Sequence, residues 1–137
     1  MMRLITLIII HCSAVRTYQT SSAEQIDQWH RSRGWKCIGY HYVIRRDGTI
    51  ETGRPESMVG AHCLHHNRHS LGICYEGGLN ARGEHCDTRT PAQKRALKTL
   101  LKQLKTRYPD ACITSHRTFN PQKDCPCFDA EREYSQL

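Results

Sequence analysis

The sequence has no long hydrophobic run. Its longest apolar stretch, Leu4–Ile10, is interrupted by Thr6. A membrane-spanning helix needs about 20 apolar residues, so a membrane span is excluded. No small-residue cleavage site follows the stretch, and it does not read as a secretory signal. The chain is therefore expected to be made in the cytoplasm without a signal peptide. Internal repeats, linkers and low-complexity tracts are also missing, which excludes solenoids, collagen and disorder. Acidic residues are scarce: 13 Asp and Glu stand against 20 Lys and Arg, a net charge of +7. That balance favours polyanionic partners, whether nucleic acid, anionic wall polymers or a membrane surface. Much of the charge falls in one predicted helix, where it reads as a solvated face. At 137 residues, with 38% hydrophobic and 24% charged, the chain suits one soluble domain spanning 1–137.

What the sequence does have is eight Cys and nine His. A domain of this length needs no disulfide staples to hold a core. The cysteines are scattered over predicted strands and loops, and their mixture with His suggests a metal ligand among them.

Local signals give the element order. Leu4–Ile10, ending at His11, reads as a strand buried on both faces. Ser21-Ser22 before Glu24-Gln25 opens a capping box, and the helix carries Ile26, Trp29 and Arg33 on one side, stopping near Gly34. His41–Arg46 and Thr49–Thr52 flank Asp47-Gly48, a hairpin signal. Leu71–Tyr75 is a further strand, closed by Gly77-Gly78. Thr90-Pro91-Ala92-Gln93 starts a long helix, with Leu97, Leu100, Leu101, Leu104 and Tyr108 on one side and Lys94, Lys98, Lys102 and Lys105 on the other. Pro109 ends it. Ala111–Ser115 is the last strand and leads into His116. Strand, helix, hairpin, strand, helix, strand predicts an α/β fold, a mixed central sheet flanked by helices.

Two strands thus end in a histidine, His11 and His116, and Cys125 follows within Lys123-Asp124-Cys125-Pro126-Cys127. Two imidazoles and a thiolate are three protein ligands. With a fourth position open, that is a catalytic zinc arrangement, since structural zinc sites are closed by four. Spacing alone also allows a plainer reading, in which the histidines cap their strands by hydrogen bonding and the cysteines are small core residues. No His-Glu-x-x-His motif occurs, so a metalloprotease-type Glu base is not supported.

The ordered motifs resemble a known family. Ile8-Ile9-Ile10-His11-Cys12-Ser13-Ala14, Trp29-His30, Gly39-Tyr40-His41-Tyr42-Val43-Ile44 and Arg46-Asp47-Gly48-Thr49 carry the first half. Val59-Gly60-Ala61-His62, Asn67, Ser70-Leu71-Gly72-Ile73, Thr90-Pro91-Ala92-Gln93, Ser115-His116-Arg117 and Lys123-Asp124-Cys125-Pro126 carry the second. Each block is weak alone; the ordered set is specific. The chain resembles the zinc N-acetylmuramoyl-L-alanine amidases, which include bacteriophage amidase-type lysozymes and peptidoglycan recognition proteins.

The resemblance implies Zn2+ on His11, His116 and Cys125, with Tyr40 and Lys123 completing the catalytic group. It implies cleavage of the amide between N-acetylmuramic acid and L-alanine of peptidoglycan, by a monomer that reaches the wall after release or by non-classical export. His62 and Asn67 are candidate contacts to the muramic acid and stem peptide. Each also has a plain reading, a surface histidine and a turn former.

Adjacent residues of a strand face opposite ways, which separates Tyr40 from a structural His41 and turns Cys12 away from the metal. Cys74 reads as buried packing. Cys127 competes with Cys125, and the family pattern selects Cys125. Removing one ligand from eight cysteines leaves an odd number, so at least one thiol is expected to stay free or to pair between chains and a complete disulfide framework is not expected, although Cys37 with Cys63 stays open as a pair. A non-catalytic peptidoglycan recognition module is the alternative function. Nucleic-acid binding rests on charge alone. Polymerase binding, known in some phage relatives, has no surface in this sequence that singles it out.

Overall fold

The computed structural model describes residues 3–137. Ile8, Ile9 and Ile10 are wholly buried, as β-branched residues of a central strand should be. Their strand, β1 (Leu7–Cys12), pairs in parallel with β4 (Ser70–Tyr75) on one side and β5 (Cys112–Ser115) on the other. It starts later than Leu4 because both partners begin opposite Leu7; Leu4 itself is exposed. It runs on through His11 to Cys12.

The expected hairpin forms from β2 (Tyr42–Ile44) and β3 (Ile50–Thr52), antiparallel to each other. Gly48 sits at φ +90° in its turn, a conformation that suits glycine. β2 pairs in parallel with β4, so the order across the sheet is β3-β2-β4-β1-β5.

Two helices cover the two faces. α1 (Ala23–Ser32) is capped by Ser22, whose side chain accepts from the Gln25 N–H while Gln25 reaches back. Its buried side is Ile26 and His30, packed toward Ile38, Val43 and Cys74. Trp29, expected on that side, is exposed. The inward line runs through Ile26 and His30, and Trp29, about 100° around the helix from His30, falls at its edge.

α2 (Pro91–Arg107) has the predicted Thr90–Gln93 capping box with Pro91 in its first turn. Leu97, Leu100, Leu101 and Leu104 join Ile8, Ile10, Leu71, Ile73 and Tyr75 in the larger core. Gln93 does more than cap: buried, it donates to the carbonyls of Ile44 and Glu76 and ties α2 to two strand ends.

After β5 come two single-turn helices, α3 (His116–Phe119) and α4 (Ala130–Glu133), and a 3₁₀ turn at Asn67–His69 precedes β4. None has a sequence periodicity long enough to read. No helix of the described residues is long and apolar enough to cross a membrane.

Candidate active site and metal centre

Strand register builds the site. Ile10 pairs with Ser115 across β1 and β5, so the next residues, His11 and His116, stand side by side where these parallel strands end. Ligand sites in open α/β sheets gather at such carboxyl ends. The Nδ1 atoms of His11 and His116 are 3.1 Å apart. Cys125 arrives on the loop after α3, and its Sγ accepts the Cys12 backbone N–H at 3.1 Å. One donor atom from each of His11, His116 and Cys125 lies within 4.8 Å of the others, a group that could hold a metal ion. The donor set fits zinc: two Zn–N bonds of about 2.0–2.1 Å at a tetrahedral angle put the nitrogens about 3.3 Å apart.

Burial, with His62 and His116 alongside, pushes the pKa of His11 well below its ordinary value. Burial, and then Lys123, lowers that of His116. Both rings are thereby held neutral, the form that ligates.

Tyr40 stands over this group, its ring centroid 5.0 Å from that of His11. It precedes β2 rather than lying within it, so strand alternation is not what separates it from His41. Hydrogen bonds from α1 do that. Asp27 accepts the Ile38 N–H at 2.8 Å, and His30 Nδ1 accepts the Gly39 N–H at 2.9 Å. His30 also packs against the Tyr40 ring. Sequence reading gave His30 no role, although its i+4 spacing from Ile26 was the available signal. His41 is structural as expected: it is buried, with Nδ1 accepting from the Gly72 N–H and Nε2 donating to the Met58 carbonyl. Burial, then the thiols of Cys74, Cys125 and Cys12, pushes the Tyr40 pKa well above its ordinary value.

His62 comes to the back of the metal group, its Nδ1 2.8 Å from His11 Nε2. Asn67 holds the His62 loop: its Oδ1 accepts the backbone N–H of both His62 and Cys63 at 2.9 Å. Lys123 is exposed on the loop that carries Cys125. Two hollows flank the metal group and share Arg33, Tyr40, His116 and Lys123. Asn67, His62 and Trp35 line one; Ser13, His85 and Cys125 line the other.

None of the remaining cysteines among the described residues joins the donor group. Cys12 turns into the α2-side core. Cys127 lies beside it, with an S···S distance of 4.0 Å, and points to the Gly78 carbonyl. Cys125, not Cys127, therefore joins the histidines. All eight cysteines are free thiols, Cys37 and Cys63 included.

The family described as N-acetylmuramoyl-L-alanine amidase matches residues 1–128. The chain belongs to that family. It is 43% identical over 125 residues to the endolysin of Klebsiella phage KP32, covering 91% of this chain and 82% of that one. Identity to the endolysin of Escherichia phage T7 is 42% with the same coverage. Among solved structures, the N-acetylmuramoyl-L-alanine amidase LysC from Clostridium intestinale superposes with a TM-score of 0.81 at 31% identity, covering 96% of this chain and 83% of that chain. A Drosophila PGRP-LB variant in complex with tracheal cytotoxin gives 0.79 at 25% identity, with 98% and 82% covered. The amidase family therefore spans both the sheet and the loop that brings Cys125 to His11 and His116.

Proposed function

We propose that the protein is a zinc-dependent N-acetylmuramoyl-L-alanine amidase that separates stem peptides from the glycan strands of peptidoglycan. The observation that carries the reading is the meeting of His11, His116 and Cys125 beneath Tyr40, in a chain of the amidase family. His11, His116 and Cys125 would hold the ion, leaving a fourth position for water or substrate. What an ion held by these residues would supply is a water with its pKa lowered toward about 7 and polarisation of the scissile carbonyl.

The side chains supply the rest. Tyr40 keeps its proton at neutral pH, because its pKa is raised, and serves as a hydrogen-bond donor to charge developing on the substrate oxygen. Lys123 brings a cation to the rim shared by both hollows, near the oxyanion or the departing amine. The two hollows would receive the muramic acid and the stem peptide, with Asn67 and His62 on the wall of one. The whole of 1–137 acts as one domain and as a monomer, reaching the wall after release from the cytoplasm. Retention of all three donors favours hydrolysis over recognition alone.

Digestion of purified peptidoglycan tests the reading. New amino termini and free stem peptides should appear without new reducing sugars, cease with a chelator and return with zinc. Reducing sugars as the product, or full zinc occupancy without any cleavage, would overturn it.

A further inference from the structure

His62 carries more structure than a wall residue needs. Its ring meets His11 nearly edge-on, at an interplanar angle of 87°. On its other side Nε2 lies 3.2 Å from the buried Ser70 hydroxyl. The ring rests on Gly72 of β4, where an added Cβ would come within 2.6 to 2.8 Å of the imidazole atoms. Asn67 clamps the backbone on either side of it. A loop, a strand and a 3₁₀ turn thus fix one imidazole in place.

Counting ring protons settles what that imidazole does if His11 is a metal ligand, and the inference rests on that reading. The Nδ1 of His11 faces His116, so it is the donor atom to the ion. A neutral imidazole has one N–H, which must then sit on Nε2 and point at His62 Nδ1, 2.8 Å away. His62 Nδ1 therefore accepts, and its own proton sits on Nε2, facing Ser70 Oγ. The opposite assignment would put a proton on the His11 atom that must bind the ion. Metal-ligating histidines commonly donate their second N–H to a carboxylate or carbonyl that fixes tautomer and ring orientation.

We infer that His62, backed by Ser70 and seated on Gly72, is the positioning residue that orients and fixes the tautomer of the metal ligand His11. Because the acceptor is a neutral ring, the centre gains orientation without a second negative charge. Of the three donors, only the Cys125 sulfur would bind a zinc ion as an anion. His62 acts behind the ligand and not on the peptide.

The test measures the zinc Kd of the purified full chain by competition with a chromophoric chelator, for wild type, His62→Leu and His62→Asn. His62→Leu should weaken zinc binding by about 10- to 100-fold, with the far-UV spectrum of the metal-free protein unchanged. His62→Asn keeps an acceptor oxygen near the Nδ1 position and should recover most of that affinity. Long-range proton–nitrogen spectra of the zinc-loaded wild type should show both His11 and His62 as the Nε2–H tautomer, a readout that holds even if His62→Leu does not fold. Wild-type affinity in a folded His62→Leu, or an Nδ1–H on His62, overturns the inference while leaving the amidase reading intact. A wild type that binds no zinc overturns both.

Discussion

Cys125 and Cys127 are two residues apart, yet their sulfurs serve different parts of the molecule. The first accepts the Cys12 N–H beside the histidines; the second packs against Cys12 Sγ and the Gly78 carbonyl. Cys125→Ala should therefore abolish stoichiometric zinc binding measured by metal analysis, whereas Cys127→Ala should retain it. The reverse pattern would move the ligand to Cys127. Tyr40 makes a different contribution. Tyr40→Phe keeps the ring that packs on His11 and His30 and removes only the donor. Turnover should fall by about 10²–10³ at unchanged zinc content; undiminished turnover would remove the hydroxyl from the chemistry. His11, His116 and Cys125 were legible as donors in the sequence, but choosing Cys125 over Cys127 took family resemblance. The seat of His62 was not legible, because it depends on a loop folding back across Gly72 of β4.

At the scale of elements, the strong local signals held. β1 and β4 are apolar runs, Asp47-Gly48 turns a hairpin, and both long helices open with capping boxes. Such signals depend on near neighbours, which is why sequence displays them. The misread face of α1 shows the limit. Ten residues give the periodicity few turns to average over, and a large apolar residue, Trp29, outweighed the Ile26–His30 line that packs inward. α3 and α4, at four residues each, offer no period at all. α2 is where element stability should be measured. Leu101 is fully buried against the sheet core, so Leu101→Ala should cost about 2–5 kcal/mol in a urea titration. A loss below about 1 kcal/mol would mean that α2 is not packed as described.

Across the whole molecule, Glu76 links parts that are distant in sequence. Buried at the end of β4, its carboxylate accepts the N–H groups of Ser21 and Arg46 and the Arg45 guanidinium. Burial alone would raise its pKa, but these donors outweigh burial and hold it below the ordinary value. A carboxyl depressed on folding stabilises the native state above its unfolded pKa, about 4.3. That contribution fades as pH falls through the lower native pKa. Glu76→Gln should thus lower stability near pH 7 by about 1–3 kcal/mol, and the gap to wild type should close toward pH 3 in denaturant titrations. A gap that stays constant with pH would assign the loss to packing rather than charge.

The proposed centre draws one donor from β1 and two from beyond β5. A break anywhere between α2 and β5 would leave His11 on one piece, His116 and Cys125 on the other. Neither piece alone could cleave anything, and a nascent chain would stay inert until its final segment had been synthesised and docked. If the centre acts as proposed, the order of the strands would withhold wall hydrolysis until the chain is complete.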